Sequence, residues 1–126
     1  MKRAIDRIPG YRDGDAVFIL EAHQDHWGLA ELHGTIYISA RVPANRMYDV
    51  VSHEWSHVLS VRAYGGDVDA ALAAMNHYFG GSGLTGAERA ADCMARELGA
   101  TWTHYTSCSK ASWRAGARRL LARQQL

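Results

Sequence analysis

Nine residues constrain this chain more than any others: Val51-Ser52-His53-Glu54-Trp55-Ser56-His57-Val58-Leu59. They contain His-Glu-x-x-His, and the surrounding pattern predicts a helix. Pro43-Ala44-Asn45 opens it, with Asn45 as expected N-cap. Met47, Val50, Val51, Val58, Leu59 and Val61 carry it to about Tyr64, and Gly65-Gly66 end it. On a helix, residues four apart share a face about one turn from each other. His53 and His57 can then offer imidazole nitrogens to one tetrahedral metal ion at about 2.0–2.1 Å. Glu54 is offset by one residue, which sets it beside such an ion, where a carboxylate can take a proton from water. The neighbours Val50, Val51, Trp55, Ser56, Val58 and Leu59 are all uncharged, as a buried helix requires.

A third ligand is expected downstream, because a catalytic zinc usually has three protein ligands and one open position. Glu88-Arg89-Ala90-Ala91-Asp92 supplies Glu-x-x-Ala-Asp on a predicted helix. Thr85 and Glu88 have the spacing of a capping box at its start, and Gly99 ends it after about Leu98. Glu88 and Asp92 lie four apart on one face. Glu88 can give a carboxylate oxygen to the metal, and Asp92 can accept the second ring N–H of a ligand histidine. Ala90 and Ala91 are small enough for the two helices to approach closely.

His-Glu-x-x-His followed by Glu-x-x-Ala-Asp resembles the gluzincins, zinc peptidases of which thermolysin is the familiar member. The Ala-Asp form is most similar to membrane-associated CAAX-type and HtpX-like peptidases, although no membrane span is found here. The segment around the helix also resembles small HExxH proteins of actinobacteria and their phages. The resemblance covers Val50 to Asp92, about a third of the chain. It implies Zn²⁺, with His53, His57 and Glu88 as ligands, Glu54 as base and Asp92 supporting a ligand histidine. Two rivals fail on named residues. A metzincin needs Gly and His where Ser60 and Ala63 stand, and a peptide deformylase needs a cysteine upstream of the motif, whereas none precedes Cys93.

The rest of the chain reads as one α+β domain spanning residues 1–126, a minimal zincin-like fold with a small N-terminal sheet on the motif helix and about three further helices. Val17 to Glu21 is a predicted strand. Glu31 to Ser39 alternates through Leu32, Ile36 and Ile38 and predicts a half-exposed strand, an edge interrupted by Gly34. Further helices are expected from Asp67 to Phe79, favoured by Asp67 and Asp69 at its start, and from about Ser109 to Gln124. Lys110, Arg114 and Arg118 form a stripe expected to face solvent.

Composition excludes several classes. A net charge of +1 argues against a dedicated nucleic-acid binder. No apolar run approaches the roughly 18 residues that cross a bilayer, and the basic start MKRAIDR leads into no apolar segment, so a cytoplasmic location is the default expectation. Oligomeric state is open. Cys93 and Cys108 allow one disulfide; without a secretion signal two reduced, partly buried thiols are expected, a helix-to-loop bridge being the alternative.

The expected function is zinc-dependent hydrolysis of a peptide bond in a peptide or protein substrate. His104 and Tyr105, after the Glu88 helix, are candidate donors to the developing oxyanion, and the Glu31–Ser39 strand is the expected edge for substrate pairing. The alternative is a zinc-stabilised structural or binding protein. Glu54 speaks against it, since a structural site has no need of a base. His23 and His26 could chelate a metal but have no further ligand nearby, so they are expected at the surface; His33 falls in the predicted strand and His77 on the predicted Asp67–Phe79 helix.

Overall fold

The computed structural model describes residues 1–22 and 25–126. After a short helix α1 (Lys2–Asp6) come three strands, β1 (Val17–Glu21), β2 (Gly28–Glu31) and β3 (Thr35–Ser39). They form a sheet in the order β1-β3-β2, with β1 parallel and β2 antiparallel to β3. Four longer helices follow: α2 (Met47–Arg62), α3 (Val68–Phe79), α4 (Thr85–Glu97) and α5 (Ala111–Leu121). The fold is therefore α+β, as expected, with one short additional helix at the start.

The segment Glu31 to Ser39 corrects the sequence reading. It is two pieces: β2 ends at Glu31 and β3 begins at Thr35. Gly34 donates its N–H back to the Glu31 carbonyl at 3.0 Å and takes φ +114°, where a side chain would be strained. Leu32 has the same parity as Ile36 and Ile38, so alternation could not reveal the turn. As a result β3 is the central strand, and β2 is an edge. Ile36 and Ile38 are completely buried, each gaining about 1.5–3 kcal/mol from leaving water.

Helix α2 is the centre of the molecule. Twelve of its sixteen residues are buried, so it is enclosed all round. Ser52 and Ser56 are fully buried and satisfy their hydroxyls on the carbonyls of Tyr48 and Ser52, each at 2.7 Å. Trp55 meets Tyr11 edge-on at 5.0 Å, and Tyr11 in turn meets Phe18 of β1 at 5.8 Å. The main partner of α2 is α4, whose buried Ala87, Ala90 and Ala91 leave room for close approach.

Neither expected cap forms, and one that was not expected does. Asp67 caps α3, accepting the Ala70 N–H at 3.1 Å. Asn45, however, lies inside a 3-10 turn (Ala44–Arg46) that leads into α2, and no side chain caps that helix. Thr85 is already helical, so the Thr85–Glu88 capping box does not form; Glu88 turns toward α2 instead. At α5 the basic stripe is exposed as expected, with Arg118 bonded to Glu97 at 2.9 Å.

Cys93 and Cys108 form a disulfide, in place of the two reduced thiols expected. Both are buried. The chain leaves α4 and returns to it fifteen residues later, a folding-back that spacing alone does not disclose. Among the described residues no helix is long and apolar enough to cross a membrane.

Candidate metal centre

The i, i+4 spacing on α2 brings His53 Nε2 and His57 Nε2 to 3.1 Å. Packing α4 against α2 then delivers Glu88 Oε1, 3.4 Å from the first and 2.5 Å from the second. Two ligands held about 2.0–2.1 Å from a tetrahedral ion lie roughly 3.3 Å apart. Two of the three separations match that spacing, and the third is that of a short charge-assisted hydrogen bond. These three residues could hold a metal ion, and among the described residues they are the cluster with that geometry.

Asp92 sets the chemistry of one ligand. Its Oδ1 lies 2.7 Å from His53 Nδ1. Asp92 is almost fully buried and as a carboxylate can only accept, so His53 Nδ1 donates and, in the neutral ring, Nε2 is left with its lone pair toward Glu88 and His57. Two imidazoles and a carboxylate suit zinc and several other divalent transition metals.

The charges are strongly coupled. Burial disfavours a charged His53 ring, but hydrogen bonds to Asp92 and Glu88 outweigh it and hold its pKa up to about 10. Burial also works against the Glu88 carboxylate, yet bonds from His53, His57 and Tyr105 keep it well below the ordinary carboxylate range. The Tyr105 hydroxyl, partly buried and bonded to Glu88, is pushed well above its ordinary value. Glu54 shifts the other way from Glu88: burial raises its carboxyl, against the lowering influence of His57 and His53.

Glu54 is not one of the three converging ligands. It stands beside them under β2, where a Cβ at Gly28 would fall 2.6 Å from its Cγ and 2.8 Å from its Oε1. Only glycine at 28 leaves that carboxylate its place. Nothing in the sequence marked Gly28 beyond its following Trp27; the need for it comes from a strand that meets α2 across the fold.

A cleft of about 610 Å³ opens over these groups. Trp27 and Leu29 contribute on the β2 side, and Trp102, His104 and Tyr105 on the side of residues 100–108. Both predicted donors thus reach the cleft, but differently. Both residues are exposed, but Tyr105 stacks on His53 at 6.1 Å and bonds Glu88, whereas His104 packs edge-on against Tyr105 at 4.7 Å. The strand beside Glu54 is β2, not the whole Glu31–Ser39 segment, and its outer edge is unpaired among the described residues. His26 lines the cleft, His33 and His77 are exposed, and His23 lies outside the described residues.

No protein-family model matches this chain, and no curated protein or solved structure is significantly similar to it. Its site has to be read from its own chemistry.

One further residue escaped the sequence reading. Asp49 is buried on α2, one turn before His53; it accepts the Thr101 N–H at 2.9 Å and pairs with Arg46 at 3.3 Å. Its signal was available in the spacing Asp49, His53, His57, which puts all three on one helical face.

Proposed function

We propose that this chain is a zinc-dependent peptidase of the gluzincin type, with His53, His57 and Glu88 as ligands. The observation that carries the reading is the convergence of those three side chains with a fourth, Glu54, buried beside them and left out of the cluster. A purely structural site has no use for that carboxylate.

Zinc, when bound there, would supply Lewis acidity, lowering the pKa of water toward neutrality and polarising a carbonyl oxygen. Glu54, its proton affinity raised by burial, takes the proton of the attacking water and delivers it to the departing amine. Asp92 keeps His53 in the required tautomer. Tyr105 can turn its hydroxyl from Glu88 toward the oxygen that becomes negative, with His104 a neighbouring donor on the cleft wall. The outer edge of β2, paired with no strand among the described residues, suits an extended peptide, which would add main-chain hydrogen bonds there. The buried Cys93–Cys108 bond favours an oxidising compartment over the cytoplasm.

Glu54→Gln tests the reading. It leaves all three ligands in place, so zinc should stay while hydrolysis of a mixed peptide library falls by about 10²–10⁴-fold. Zinc bound by both proteins, with no cleavage by the wild type, would favour a metal-stabilised binding protein instead.

A further inference from the structure

Residues 100–108 run along one wall of the cleft without helix or strand. Their position depends on bonds to the helices beneath. Asp92 Oδ2 accepts the N–H groups of Tyr105 at 2.6 Å and Thr106 at 2.9 Å. Thr106 Oγ1 in turn accepts the Cys108 N–H at 3.0 Å, and Cys108 is bonded through sulfur to Cys93, the residue after Asp92. The result is a closed ring: Asp92, the amides of 105 and 106, Cys108, the disulfide, and back to Asp92 through one peptide bond. The other oxygen of Asp92 holds His53 Nδ1.

Cys108 itself has φ +58°, the left-handed region that residues other than glycine avoid. The bond to Cys93 and the hydrogen bond from the Cys108 N–H to Thr106 Oγ1 both act on this residue.

We propose that the Cys93–Cys108 disulfide is a positioning element of the metal centre. By fixing Thr106 and Tyr105 over Asp92, it keeps that carboxylate in the one orientation that serves both them and His53. Metal affinity is therefore greater in the bridged chain than in a chain without the bridge. Two electrons and two protons, supplied by a dithiol that becomes a disulfide itself, separate the two forms. The inference rests on the metal-site part of the proposed function and is independent of whether the chain cleaves peptides.

The test compares wild type with Cys93→Ala/Cys108→Ala and with Cys93→Ala/Cys108→Gly. Neither variant has thiols that could compete for metal, and the glycine removes the backbone strain at 108, so it keeps the experiment open where the alanine variant fails to fold. Zinc affinity is measured by chelator competition well below the melting temperature, where a bond that served stability alone would leave it unchanged. Hydrogen exchange of the Tyr105 and Thr106 amides is followed in parallel. Expected are a roughly ten- to hundredfold weaker affinity and faster exchange at both amides. Affinity equal to wild type would overturn this inference alone. Weaker affinity with both amides still protected would also overturn it, since the loss would not have passed through Asp92. A wild type that takes no zinc would overturn the metal reading and this inference together.

Discussion

On one side of the cleft, α2 and α4 carry His53, His57, Glu88 and Asp92 on regular backbone, each pair four residues apart. On the other, residues 100–108 carry Trp102 and Tyr105 on backbone that belongs to no helix or strand. The helical side places its groups by local periodicity, and burial of apolar neighbours fixes the rest. The irregular side is placed by side chains of α2 and α4: Asp49 at Thr101, Arg96 at Thr101 and Thr103, Asp92 at Tyr105 and Thr106, and Cys93 at Cys108. Local rules thus build the candidate ligand set, while the bonds from α2 and α4 build the wall that covers it. Damage to the two sides should have different signatures.

The largest effect expected short of losing a ligand or Glu54 itself comes from β2, which closes over that carboxylate. Gly28→Ala puts a methyl group where that carboxylate lies. Hydrolysis should fall by about 100-fold through misplacement of the base, while zinc content stays near wild type. Loss of zinc along with activity would mean that Glu54 and the ligands are not separable as described.

A smaller effect tests the charge coupling of the helical side. A metal takes His53 as the free base, but in the chain stripped of metal the ring holds its proton up to a pKa of about 10. Zinc must displace that proton, so affinity should rise about tenfold per pH unit from pH 7 to 9 and level off above about 10. The signs for stability follow from the same shifts. His53, raised from 6.5, contributes fully below about pH 6.5 and loses its contribution as pH climbs through 10. Glu88, lowered from 4.5, contributes above that value and loses its contribution as pH falls below it. Melting temperatures of the stripped protein should therefore be highest near pH 5–6 and decline on either side. A flat zinc affinity between pH 7 and 9 would contradict the coupling.

The smallest effect sharpens the contrast. Asp49→Ala leaves the Thr101 N–H and Arg46 without their partner, at a cost of about 1–3 kcal/mol in a denaturant titration. Because Asp49 holds only the start of the irregular wall, zinc affinity should barely change.

The same division explains what could be read from the sequence. His53, His57, Glu88 and Asp92 were legible because helical spacing is a local property; Asp67 was legible as a charge favouring the start of α3, but not as its cap. Asp49 obeyed that spacing and could have been found by extending the ligand face one turn back. The turn at Gly34 was hidden because Leu32 kept the parity of the strand after it. Gly28 could not be found from its neighbours, since the reason for it is the Glu54 side chain on another element. The pairing of Cys93 with Cys108, and the bonds that let Asp92 serve His53 and Tyr105 together, exist only once residues 100–108 have folded back on α4.

The proposed metal centre draws its ligands from two helices distant in sequence, α2 and α4. Elemental analysis of wild type and Glu88→Ala, purified in parallel, tests it most directly. Near one zinc per wild-type chain, with a clear loss in the variant, is the predicted result. Full zinc in the variant, or none in either after zinc is supplied at neutral pH, would contradict it.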